Sequence, residues 1–272
     1  MKKLALTLTI LSTFCALAFA GSEPYSGKEM KQVAPMPPPC PNWTGFYIGG
    51  FGGYKFGATD THLSLGDGWD ADAPDRADRD LLLSNSPDNL DTSGFEAGGL
   101  VGYNYQWNKW VFGLEASGGY LWLDQSHDTG IFTVPATQDA YNIETSFKSH
   151  YLMTVGPRIG YTFCRWMPYV TGGLAVGDID FHQELILHNF PFTEGGSTSD
   201  TKVGWMVGGG LQYAVADHWS VRAQYQYIDL GGVGFDHSTP GFTFAGVPVD
   251  FTGHSEVNLR EHNASFAIIY GF

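Results

Sequence analysis

The chain has 272 residues, 28 acidic against 14 basic, and a formal net charge of −14, which excludes a nucleic-acid protein because that would need a basic face. Its 36 glycines and 15% aromatic residues are unusual in a water-soluble domain, yet mean hydropathy is only −0.13 and no apolar run after the first twenty residues is long enough for a spanning helix. A chain of polar average still crosses lipid if it closes into a barrel, where outward apolar and inward polar residues alternate.

Residues 1–20 read as a signal peptide. Lys2 and Lys3 are the positive region, Leu4 to Phe19 the apolar region, and Ala18-Phe19-Ala20 the small-x-small cleavage site. The competing reading, an anchor helix, needs a longer stretch. Cys15 follows Phe14, not the small residue a lipoprotein cysteine requires. Residues 21–42 form a periplasmic tail in which Pro35, Pro37, Pro38, Pro39 and Pro41 favour extended polyproline geometry.

From Trp43 to Phe272 seven connections alternate in length. The long ones are Ala58–Thr92, Gln125–Lys148, Gln183–Thr201 and Val233–Glu256; the short ones are Trp107–Trp110, Cys164–Met167 and Val215–His218. The segments between them predict an all-β fold: an eight-stranded antiparallel up-and-down transmembrane β-barrel with short periplasmic turns and long extracellular loops.

The segments alternate with period two. In Ser93–Trp107, Phe95, Val101, Tyr103 and Tyr105 face lipid while Glu96 and Asn104 face inward. In Tyr151–Phe163, Met153, Val155 and Ile159 face out against Thr154 and Arg158. The sixth strand sets Val203, Trp205, Val207 and Leu211 against Lys202 and Gln212. The seventh sets Trp219, Val221 and Tyr225 against Arg222, Gln224 and Gln226, and the last sets Phe266, Ile268 and Tyr270 against Glu261, Asn263 and Ser265. Strand one, Trp43–Phe56, is too glycine-rich to phase. Pro157 removes a ladder hydrogen bond, so a bulge is expected there. Trp43, Trp107, Trp110, Trp166 and Trp219, with Phe272, fall at the proposed periplasmic ends, as an interfacial aromatic rim requires.

Several stretches resemble the small OmpA-like, opacity-protein-like surface barrels often labelled "porin family protein". They are Trp43-Thr44-Gly45-Phe46-Tyr47-Ile48-Gly49-Gly50, Val155-Gly156-Pro157-Arg158-Ile159-Gly160-Tyr161, Val203-Gly204-Trp205-Met206-Val207-Gly208 and Trp219-Ser220-Val221-Arg222-Ala223-Gln224-Tyr225. The terminal Tyr270-Gly271-Phe272 is similar to the aromatic signal read by the outer-membrane insertion machinery. The resemblance implies a cell outer-membrane location, with outer-membrane lipids and lipopolysaccharide as partners. It implies eight strands but no proven pore, since members include structural barrels, surface antigens and ligand-binding proteins.

Phasing places Glu96, Glu115, Arg158, Arg222 and Glu261 in the lumen, with Lys202 nearer the surface end. Buried charges persist only when paired, so a Glu–Arg lattice is expected, either as a structural plug or as a gated ion path. Cys40 and Cys164 both fall on the oxidising periplasmic side and are expected to pair, against the alternative of two thiols too far apart. The aspartate-rich first loop reads as solvated and partly disordered rather than as a calcium site, because Ala73 and Pro74 stand where the calcium loop needs glycine. The histidines lack tight ligand spacing, so neither metal nor cofactor is expected. The local sets His254-Ser255-Glu256 and Glu261-His262 with Ser265 were weighed for hydrolase chemistry. His262 and Ser265 lie on opposite faces of one strand, and no enzyme is expected. The function expected is a structural surface barrel presenting acidic loops, the alternatives being a small solute channel or loop-borne adhesion.

Overall fold

The computed structural model describes residues 40–70, 73–86, 89–189, 192–244 and 247–272. The signal peptide and all of the proline tail before Cys40 lie outside them. The described elements are β1 (Gly45–Asp67), α1 (Ala73–Asn85), β2 (Asn89–Trp107), β3 (Trp110–Asp128), β4 (Phe132–Thr133), β5 (Ala140–Tyr161), β6 (Trp166–Leu187), β7 (Phe192–Ala214), β8 (Trp219–Phe244) and β9 (Val247–Gly271).

Every strand pairing is antiparallel. Strand order runs β3-β2-β1-β9-β8-β7-β6-β5, and β3 also pairs with β5, so the long strands close a ring with the two-residue β4 attached to β5. The first and last strands zip from Tyr47↔Gly271 to Asp67↔Phe251. Closure leaves the ring without a free edge, the arrangement in which a sheet satisfies its own backbone.

The strands are far longer than the sequence reading expected. Most of the Gln125–Lys148 connection, and nearly all of Gln183–Thr201 and Val233–Glu256, are strand, while Ala58–Thr92 is strand at its two ends with α1 between. What remains between β6 and β7 is residues 188–191, and between β8 and β9 residues 245–246.

The physical reason is an inversion of pattern part-way along each strand. On β6, Val170 and Leu174 point out, but further along Ile179, Phe181 and Leu185 are buried inside while Asp178, Asp180 and Glu184 point outward. On β9, Phe266 and Ile268 face out, whereas beyond Glu261 it is Leu259 and Val257 that turn inward. On these two strands the pleat continues unbroken. Only the solvent outside it changes, from lipid to water, and the apolar face switches sides accordingly.

The acidic first connection is also more ordered than expected. Residues 73–85 form α1, which buries Leu82 and Asp78. Leu82 joins Leu65, Trp69, Val134, Tyr141, Ile143 and Leu185 in one apolar cluster, so the helix closes the far end of the ring. No bulge occurs at Pro157: the β5–β6 ladder omits Gly156 and Pro157 and resumes in the same register. The irregularities lie instead at Tyr120/Leu123, Lys148/Leu152, Asp229/Gly231 and Thr239/Phe242.

Glycine does its clearest work where neighbouring strands touch. A Cβ on Gly156 would run into the Gly172 carbonyl and reach within 2.8 Å of the Gly173 Cα, whereas on the outward Gly99 it would meet nothing nearer than 3.7 Å. Gly156→Val is therefore expected to lower folding stability by about 1–3 kcal/mol through overpacking, and Gly99→Val to leave it nearly unchanged. The comparison is read from urea unfolding of the two refolded variants in lipid vesicles.

Candidate functional site

The inner wall between the short-turn end and the inversion carries two charge clusters. The first crosses the bore. Glu115 on β3 receives Tyr47 Oη at 2.7 Å, Arg158 Nη1 at 2.9 Å and Arg222 Nη1 at 2.8 Å. Both arginines also donate to Gln212 Oε1, at 3.1 and 3.2 Å, and Gln212 passes a donor on to Ser220 at 2.8 Å. The Arg158 guanidinium lies 4.0 Å from the centre of the Tyr169 ring. One carboxylate thus serves two cations, and the ring face and amide oxygen stabilise the surplus charge.

The second cluster hugs one side of the wall. Lys55 on β1 meets Glu261 on β9 at 3.1 Å, both side chains almost fully buried, and Glu96 accepts Asn263 Nδ2 at 2.8 Å. The expected lattice of arginines with three glutamates is therefore divided. Glu115 holds both arginines, while Glu261 takes a lysine and Glu96 an amide. Lys55 and Tyr47 were missed because β1 did not phase. Their even spacing of eight residues, which puts both on one face, was the available signal. Lys202 sits nearer the far end and pairs with Asp200 at 2.9 Å.

Above these charges the bore is apolar. Leu121, Leu123, Phe147, Leu152, Ile179, Phe181, Met206 and Ile228 belong to one buried cluster spanning several strands. Beside the first charge cluster, Tyr47, Leu100, Ala267 and Ile269 form another on the β1, β2 and β9 wall, with Ala267 directly across the ladder from Arg222.

Aromatic belts bound the outward apolar band. At the short-turn end Trp107, Trp110, Trp166, Trp219 and Phe272 are all exposed, and Trp110 packs on Tyr161, Trp166 on Tyr213 and Trp219 on Tyr270. Trp43 lies half-buried beside β2, its main-chain N–H on Gln106 Oε1 at 2.9 Å. The opposite belt includes Tyr54, Phe95, Tyr120, Trp122 and Trp205. Trp110 and Trp122 stand twelve residues apart on β3. That is about 40 Å of strand at about 3.3 Å per residue, or about 28 Å across a bilayer at a tilt of roughly 45°.

Cys40 and Cys164 are joined by a disulfide, their Cα atoms 4.7 Å apart. Residues 40–44 therefore bridge the short-turn end from β1, past Gln106 at the end of β2, to the β5–β6 turn.

A family model for the outer membrane protein beta-barrel domain matches residues 6–267. The chain belongs to the outer-membrane β-barrel family. It is 31% identical over 236 residues to a 31 kDa outer-membrane immunogenic protein of Brucella melitensis, covering 84% of this chain and 88% of the relative. Over 241 residues it is 26% identical to a 25 kDa outer-membrane immunogenic protein of Brucella abortus, covering 87% and 88%. Among solved structures it is similar to Neisserial surface protein A, at 14% identity and a TM-score of 0.34, covering 84% of this chain and 98% of that one. The outer membrane is its location.

At the far end of this outer-membrane β-barrel, α1 is fastened through a buried carboxylate. Asp78 accepts Thr137 Oγ1 at 2.7 Å and Tyr141 Oη at 2.9 Å, both from the β4–β5 region. Arg79 ties Asp70 and Asp80 together. The sequence reading also missed a His–Asp–Asp group, His150, Asp178 and Asp180, whose ligand atoms fall within 4.8 Å of one another. Asp178 Oδ1 accepts the His150 and Tyr151 backbone N–H groups there, knitting the group into the irregularity of β5.

His262 and Ser265 lie on opposite faces of β9, as expected, and the His254-Ser255-Glu256 set is dispersed among other partners. His254 binds Asp236 at 2.7 Å, Glu256 accepts from Asn258 at 3.3 Å, and His262 binds Tyr225 at 2.6 Å on the face opposite Ser265. Ser255 instead faces inward, 3.3 Å from His237 Nε2. His237 Nδ1 is 2.9 Å from Glu194 Oε1, and Trp69 donates its indole N–H to Glu194 Oε2 at 3.0 Å.

Glu115→Ala leaves two buried guanidiniums without their carboxylate. It is expected to cost about 3–5 kcal/mol, measured as a fall in the urea midpoint in vesicles.

Burial raises the Asp78 pKa above the usual carboxylate value, outweighing the hydrogen bonds from Thr137 and Tyr141 that lower it. Docked α1 therefore binds a proton more readily than undocked α1. This contribution is fully present below the ordinary value of about 3.9 and is lost as pH rises through the raised one. Hydrogen exchange in α1, corrected for intrinsic rates, is expected to slow as pH falls through that window, and Asp78→Asn to remove the dependence.

Proposed function

We propose that this outer-membrane β-barrel is a closed structural surface protein that strengthens the envelope and presents an acidic outer face. Its apolar band, bounded by the two belts, spans the membrane, with the short turns and disulfide in the periplasm and the strand extensions outside. The observation that carries the reading is a bore occupied along its length: two ionic clusters with a small apolar group beside them toward the short-turn end, and a larger apolar cluster beyond. An eight-stranded barrel has an interior just wide enough for side chains to fill, and these side chains fill it. Its role in the membrane is mechanical rather than enzymatic.

The outward charge supports the surface role. Asp70, Asp80, Asp124 and Asp236 are well exposed at the far end, where they repel other anions and favour cationic partners. The lipid-facing belts suit outer-membrane lipids and lipopolysaccharide, and the exposed Phe272 remains available to the insertion machinery. Adhesion would rest on the aromatic Phe190-Pro191-Phe192 and Pro240–Phe244 segments, which lie outside the residues whose side chains are described.

Purified protein in planar bilayers is expected to give no conductance steps. A triple variant thinning the upper plug, Leu121→Ala with Phe147→Ala and Ile228→Ala, is expected to admit a small current. Steps from the unaltered barrel, altered by Glu261→Ala, would establish the channel reading instead.

A further inference from the structure

Beyond that structural role, we propose that Ser255, His237 and Glu194 form a hydrolytic site in the extension beyond the outer aromatic belt, acting on short-chain acyl esters. The three residues come from β9, β8 and β7, and their contacts run in sequence: serine hydroxyl to imidazole Nε2, imidazole Nδ1 to carboxylate, carboxylate to the Trp69 indole.

Donor and acceptor logic fixes the proton positions. An ionised carboxylate only accepts and an indole N–H only donates, so Trp69 occupies Oε2 and Glu194 Oε1 takes its hydrogen from His237 Nδ1. A neutral imidazole then carries its lone pair on Nε2, aimed at Ser255 Oγ. The serine proton is thus already directed toward a base that a buried acid orients, the relation nucleophilic acyl transfer needs. Glu194 is almost fully buried, so this orientation acts in a medium that strengthens it.

The surroundings point to the ligand. Ser255, His237 and Glu194 line a common small cavity with Leu63, Leu65, Ile143 and Leu185, and Ser255 is 1% exposed, so a short alkyl chain enters only as this apolar wall opens. Gln183 lines the same cavity. It is 5% exposed, and its Oε1 has no hydrogen-bond partner among the described residues. On the outer side, His237 lies opposite Gly253 in the ladder, and a Cβ at Gly253 would run into the imidazole. The glycine leaves His237 lining a surface cleft with Ser64, Thr252 and His254. Trp69 covers the assembly from the segment leading into α1.

The reaction balances with water as co-reactant. Ser255 Oγ bonds to the ester carbonyl carbon as its proton passes to His237 Nε2. The carbon–alkoxy bond then breaks, and the leaving oxygen takes that proton. Water, deprotonated by His237, next attacks the acyl-serine and releases a carboxylic acid and free Ser255.

The test uses the full barrel refolded in detergent micelles, with a biotinylated fluorophosphonate and p-nitrophenyl butyrate as probes. Mass mapping is expected to place the phosphonyl adduct on Ser255, with faster labelling in Trp69→Ala, which loosens the packing of Leu65, Ile143 and Leu185 around the cavity. Ser255→Ala is expected to lose the adduct and at least about a hundredfold of the ester hydrolysis rate. His237→Gln is expected to lose both while retaining the heat-modifiable mobility of a folded barrel. No adduct on Ser255 in either the unaltered or the Trp69→Ala barrel, each shown folded, overturns the proposal. So does hydrolysis that persists undiminished in Ser255→Ala. Neither outcome bears on whether the bore conducts.

Discussion

Backbone hydrogen bonding in a medium without water governs this molecule. An unpaired N–H or C=O in hydrocarbon costs several kcal/mol, so a sheet that crosses lipid must have no edge. Two seams achieve this, β1 with β9 and β3 with β5. The first joins the chain's beginning to its end: the Phe272 N–H reaches the Phe46 carbonyl at 2.9 Å. Closure then sets everything else, because it creates a narrow inside lined by side chains and an outside that must match its surroundings.

Inside, narrowness turns charge into a packing problem. Glu115 and Arg222 stand on strands opposite each other in the ring order, and their contact spans the bore. Lys55, Glu261 and Glu96 share three adjacent strands and fasten the wall locally. Each cation removed from water needs a partner at once. The two clusters solve this differently, one by bridging the bore and one by lining it.

Outside, the same strands serve two solvents. Within the belts apolar side chains face lipid and polar ones face in; beyond them the faces exchange. The extension is consequently an ordinary water-exposed barrel with its own apolar core, closed by α1, built on a membrane barrel with a polar core. This explains how one continuous pleat can carry both Arg222 and Leu230 inward on β8. The extension also supplies what the membrane part lacks, a sheltered apolar volume in which Ser255, His237 and Glu194 meet.

The period-two alternation, the aromatic rim and the strand phases from Phe95 to Phe272 were legible in the amino-acid order, because lipid imposes a local rule on every second residue. The same rule misled beyond the outer belt, where Ile179, Phe181, Val257 and Leu259 turned inward and the loss of lipid-facing residues read as loop. Glycine-rich β1 carried too few side chains to show its face, which hid Tyr47 and Lys55. Sequence alone thus determined the compartment, the fold class and which way most side chains point. Only the tertiary structure decided which inward residues meet. Partnership across a ring depends on strand neighbours and register, and residues such as Glu115 and Arg222, or Glu194, His237 and Ser255, are brought together by closure and not by spacing along the chain.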